Sequence, residues 1–145
     1  MTNTIEMSKQ AFLYHSSPLL LDVIMPQQAT GICNEKDKKN AVYATPYRNC
    51  AIAFGLNILP VNEKVAWRLN FPNKDYNMPI IKIEEGLFDS NGIGYLYIIP
   101  PDSFTKIDDW QWISTEAIIP IKHEIIKAES YISWIQYERK NSNLK

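Results

Sequence analysis

The sequence predicts an α+β domain: a small, mostly antiparallel set of strands with few helices. Three observations predict it. A short apolar, aromatic run lies at 11–15, one well-signalled helix follows residue 44, and from 65 to 126 short apolar runs alternate with turn residues. Strands in such a series pair with their neighbours through short turns, which favours antiparallel order.

Taken in order, residues 1–10 are polar and read as a loose leader, and 11–15 reads as a buried strand that places His15 at its end. From 16 to 40 the chain mixes Pro18, Pro26, Gly31 and the charged run Glu35-Lys36-Asp37-Lys38-Lys39, which predicts a solvated loop with one helical turn around 19–24. Residues 41–44 predict a second strand. Thr45-Pro46 then predicts a helix start, because a threonine oxygen can accept a free backbone N–H and proline fits the first helical position. Tyr47, Cys50, Ala51 and Phe54 fall at i, i+3, i+4 and i+7 and predict one apolar face, with Gly55 as the stop.

Beyond the helix, strands are predicted over 65–70, 79–84, 95–99, 110–113 and 118–126. Asn91-Gly92 is a hairpin signal, and Pro100-Pro101 ends a strand abruptly. Residues 128–140 predict a closing helix with Tyr131, Trp134 and Ile135 on one face, and 141–145 a loose tail. No internal repeat or low-complexity segment interrupts this order.

Length and composition fit one domain over 1–145. A chain of 145 residues, 46% hydrophobic and 21% charged, can bury a core without disulfides or metals. Fifteen basic residues against sixteen acidic leave a formal charge of -1, so no global field draws the chain to nucleic acid or anionic lipid. Cys33 and Cys50 are too few for a disulfide framework and form no zinc-type cluster, so both read as reduced thiols. The apolar runs are too short to span a bilayer and the first residues lack a signal-peptide core, so the expected compartment is the cytoplasm, with no membrane partner.

Three segments carry chemistry: Tyr14-His15-Ser16-Ser17, then Val42-Tyr43-Ala44-Thr45 leading through Ala51 to Phe54, then Ser114-Thr115-Glu116-Ala117. Singly, each has a plain structural use. His15 suits a half-buried strand, Tyr43 and Phe54 suit a core, and Glu116 suits a surface strand end. Their order and their placement at strand ends resemble the His-Tyr-Glu branch of the ADP-ribosyltransferase superfamily, which includes diphtheria toxin and the poly(ADP-ribose) polymerases.

The resemblance implies a split β-sheet fold and NAD as a substrate, without a metal. It implies that His15 reaches the adenosine-side ribose, that Ser16 and Ser17 stand where the family usually has Gly and then Ser or Thr, and that Tyr43 flanks the nicotinamide. Ala51 stands where the family has a hydroxyl residue that bonds the nicotinamide amide, and Phe54 where an aromatic ring stacks on it. Glu116 takes the place of the catalytic glutamate, chosen over Glu124 and Glu129 because it precedes a predicted strand. A fixed carboxylate there stabilises the positive charge that builds on the ribose as the glycosidic bond breaks.

His123, between Lys122 and Glu124, has no other metal-type ligand at suitable spacing and reads as structural or exposed. Trp110 and Trp112 alternate with polar neighbours as in a half-buried strand, with a stacking surface as the other use. The expected function is transfer of ADP-ribose from NAD to an acceptor that is open between protein, nucleic acid and small molecule. The alternative is a catalytically inactive nucleotide- or protein-binding module of the same fold. An Asn-, Lys- and Ile-rich sequence suggests an AT-rich microbial or viral genome, where small transferases act as toxins or host-modifying factors.

Overall fold

The computed structural model describes residues 11–28, 40–56 and 68–138. The predicted leader and tail, the charged run at 35–39, Cys33, and residues 65–67 and 139–140 of predicted elements lie outside these residues. What is described is an α+β arrangement of small, mostly antiparallel sheets with one α-helix and two 3-10 segments.

The strands are β1 (Leu13–Ser17), β2 (Gln27–Gln28), β3 (Asn40–Ala44), β4 (Arg68–Asn70), β5 (Ile80–Glu84), β6 (Ile93–Ile99), β7 (Thr105–Lys106), β8 (Trp112–Ser114), β9 (Lys122–Lys127) and β10 (Ile135–Glu138). The helix α1 covers Arg48–Gly55, and the 3-10 segments Pro72–Lys74 and Ala128–Trp134. One sheet has the order β1-β6-β9, a second β2-β3-β8-β7 and a third β10-β5-β4. All pairings are antiparallel except β10 with β5, which is parallel.

The first two sheets meet at one bridge. Tyr14 N–H donates to the Thr45 carbonyl at 2.8 Å and Thr45 N–H to the Tyr14 carbonyl at 3.0 Å. β1 therefore lies between β6 and the end of β3, and the sheet splits along that line.

β6 reads Ile-Gly-Tyr-Leu-Tyr-Ile-Ile because both of its faces are covered, which removes the usual apolar–polar alternation. Leu96 points into a core formed with Ile52, Ala53, Ile81, Ile83 and Ile126 on the helix side. Tyr97 and Ile99 point the other way, into a core with Leu13, Val42, Ala44, Phe104 and Ile118. Tyr97 is fully buried, and its hydroxyl donates to the Leu19 carbonyl and accepts from Leu21 N–H, both at 2.6 Å.

That hydroxyl explains one correction. No helical turn forms over 19–24, because Tyr97 holds the backbone groups of Leu19 and Leu21, and Ile24 is bridged to Ile118.

The helix starts two residues later than its Thr-Pro signal indicates. Both backbone groups of Thr45 are committed to Tyr14, so Tyr47 takes the N-cap position; Thr45 Oγ1 still accepts Tyr47 N–H at 3.2 Å. Its buried residues are Cys50, Ala51, Ile52 and Ala53, whereas Phe54 is 38% exposed, so the predicted apolar face is rotated. The helix lies against β1 and β6, and a face of small residues suits that close approach.

The expected closing helix is replaced by a 3-10 segment and β10. Ile135 to Glu138 pair in parallel with Ile81 to Glu84, and sheet hydrogen bonds win over helix continuation. Tyr131, Trp134 and Ile135 nonetheless pack on the helix-side core. Asn91-Gly92 does form a turn, with Gly92 N–H on the Asp89 carbonyl at 3.0 Å, but it joins strands of different sheets and makes no hairpin. The strand predicted over 110–113 begins at Trp112, and that over 118–126 begins at Lys122, with Ile118 in its separate bridge. β6 does stop at Ile99, before Pro100. Among the described residues no helix is long and apolar enough to cross a membrane.

Candidate functional site

The split between β1 and β3 is bridged by a second contact besides the backbone pair. His15 Nδ1 lies 2.7 Å from the Tyr43 carbonyl oxygen. A carbonyl only accepts, so Nδ1 carries the hydrogen. Burial lowers the His15 pKa from its ordinary value, outweighing the opposing effect of that bond. The ring is therefore neutral at physiological pH and its Nε2 keeps a lone pair, which no described residue engages. Such a nitrogen accepts a hydrogen bond from a hydroxyl.

The neighbours of His15 point elsewhere. Ser16 turns to the helix side, where a Cβ added at Gly55 would lie 2.7 Å from the Ser16 Cβ. This contact explains the glycine at the end of α1. Ser17 Oγ accepts Leu19 N–H at 3.0 Å. Ala51 is 3% exposed and faces the core.

Phe54 stacks on Trp110, with ring centres 5.7 Å apart and planes 8° from parallel. Trp110 also meets Tyr76 at 6.3 Å and Phe71 at 6.0 Å, and Tyr76 meets Tyr47 at 5.2 Å. These rings come from the segment before α1, from α1, from the β4–β5 connection and from the β7–β8 connection. Two hydrogen bonds from Asn49 to Asn77, at 3.3 and 2.9 Å, pin the β4–β5 connection to the helix. Asp108 shapes the β7–β8 turn by accepting from Trp110 N–H, Gln111 N–H and Gln111 Nε2.

Glu116 is exposed. It follows β8, and its N–H donates to Ser114 Oγ at 3.1 Å. The register pairs Val42 with Ser114, Tyr43 with Ile113 and Ala44 with Trp112. The structure thus joins His15 to Tyr43 and sets Phe54 on the following helix, while Glu116 follows the end of β8. Glu124, one of the other two carboxylates considered, forms an ion pair with Arg48. Glu129 is exposed in the 3-10 segment after β9.

The start of β8, not its end, lies beside the aromatic rings, and the carboxylates there are Asp108 and Asp109. Sequence reading overlooked these two and Tyr76. The Asp-Asp-Trp run was the available signal, but nothing local shows that the β4–β5 connection folds over it. His123 is exposed, with its ring 6.0 Å from both Tyr95 and Tyr97. Among the described residues no group of three or more His, Cys, Asp or Glu is placed to hold a metal. No family model, no curated protein and no solved structure matches this chain.

Proposed function

We propose that the chain is an ADP-ribosyltransferase-like protein that binds NAD along the split between β1 and β3 and transfers ADP-ribose to an acceptor, in the cytoplasm, as a toxin or host-modifying factor. The hydrogen bond from His15 Nδ1 to the Tyr43 carbonyl carries this reading. It sets the first two residues of the constellation side by side and leaves a neutral Nε2 able to accept from a ribose hydroxyl. The split sheet and the position of Phe54 on the helix after β3 support it further. In the reaction the bond from the ribose to nicotinamide breaks, nicotinamide leaves with the bonding pair, and the acceptor bonds to the same carbon.

A second reading has its own support. Ala51 is buried and offers no polar side chain, which favours a catalytically silent nucleotide- or protein-binding module. Nicotinamide release from NAD by the purified protein, with cell extract as a source of acceptor, separates the two. The transferase reading expects release that falls at least tenfold in His15→Ala and in Glu116→Gln. NAD binding without release is the outcome for the silent module. No binding and no release would remove NAD from both.

A further inference from the structure

We propose that the aromatic surface formed by Phe54, Tyr76 and Trp110, with Asp109 at its rim, docks an arginine side chain presented by a protein partner. Among the described residues the rings belong to neither core cluster. They reach one surface from three separated segments, each half-buried or exposed there. Large aromatic side chains gathered outside a core are a feature of binding surfaces.

Charge chooses the occupant. Ring faces are electron-rich and attract cations, and the acidic residues Asp108 and Asp109 immediately precede Trp110, as Asp75 precedes Tyr76. The carboxylate of Asp108 is committed to its turn, whereas Asp109 makes no hydrogen bond or ion pair with any described residue. Desolvation first, and then the charges of Asp109 and Asp108, push the Tyr76 phenol above its ordinary pKa, as expected if both carboxylates act on the ring cluster. Arg48 at the start of the helix is already paired with Glu124.

Geometry narrows the choice among cations. The Trp110 plane is 8° from that of Phe54 and 23° from that of Tyr76. The stacked rings leave their outer faces, and a flat guanidinium stacks on such a face while its edge donates to a carboxylate, which a compact ammonium does less well. A surface built from α1 and two connections takes a side chain offered from outside. Docking needs no NAD and stands independently of the transferase reading.

The test titrates the full-length protein with the peptide acetyl-Gly-Arg-Gly-amide, and with its lysine and citrulline counterparts. The Trp110 indole N–H resonance, assigned with Trp110→Phe, is followed by NMR. The arginine peptide is expected to shift that resonance saturably, with the lysine peptide about fivefold weaker and citrulline, which is flat but uncharged, without effect. Asp109→Asn, an exposed change that leaves the rings in place, should weaken the arginine peptide about fivefold, and added salt should weaken it too. Equal responses to arginine and citrulline, an unchanged affinity in Asp109→Asn, or no shift at any peptide concentration would each overturn the proposal.

Discussion

His15 and Cys50 are the two side chains whose protonation the fold controls most clearly. Burial lowers the His15 pKa, so the unfolded chain binds a proton more readily than the folded one around the ordinary histidine value of ~6.5. Stability contributed by neutral His15 is present above that value. It is lost as pH falls below it and stops falling once the folded histidine is itself protonated. Urea unfolding at pH 7.5 and pH 5 should show a larger loss in the wild type than in His15→Asn; equal losses would mean that His15 carries no such linkage. Cys50 is fully buried, and desolvation pushes its thiol up to about 12. At pH 8 only about one in ten thousand such thiols is ionised, so a disulfide reagent should leave Cys50 unmodified in the native protein and label it rapidly in urea. Site-resolved mass spectrometry checks this, and native labelling at the rate of a free thiol would contradict it.

At the scale of elements, the contact between α1 and β1 sets the position of the helix. A methyl at Gly55 would come within 2.7 Å of the Ser16 Cβ and 2.9 Å of its Oγ, and a Cβ fixed to a strand backbone cannot retreat. Gly55→Ala should therefore cost about 1–3 kcal/mol, despite the better helix propensity of alanine. Ser16→Gly should recover about 1 kcal/mol or more of that loss in a double-mutant cycle. Additive effects would show that the helix end shifts instead.

The same elements show what was legible. β3, β5 and β6 followed from their β-branched and aromatic runs, and α1 followed from a local helix signal. The closing segment did not, because the partner of Ile135 to Glu138 is β5, more than fifty residues earlier, and no local pattern encodes that pairing. The start of α1 was misplaced for a similar reason, since the long-range Tyr14 bridge consumes the backbone of Thr45. His15 and Tyr43 were found as candidates by motif, but their contact depends on the split between sheets. The aromatic surface escaped because it joins a helix residue to residues of two distant connections.

For the whole molecule, the β1-β6-β9 sheet is a partition with a separate core on each face. Leu13 and Tyr97 belong to one core and Ile81 and Leu96 to the other, yet Leu96 and Tyr97 are adjacent in β6, so neither core can lose its wall without opening the other. Leu13→Ala and Ile81→Ala each remove a fully buried aliphatic chain and should cost about 2–5 kcal/mol. Because they touch different cores, their costs should add to within about 0.5 kcal/mol in the double variant. Because the sheet is shared, each variant should still unfold in one transition, with circular dichroism and tryptophan fluorescence coincident in urea. Separate transitions in either single variant would mean that the cores are held by different parts of the chain and that β6 does not couple them. A single transition with additive costs would make β6 the element on which both cores depend.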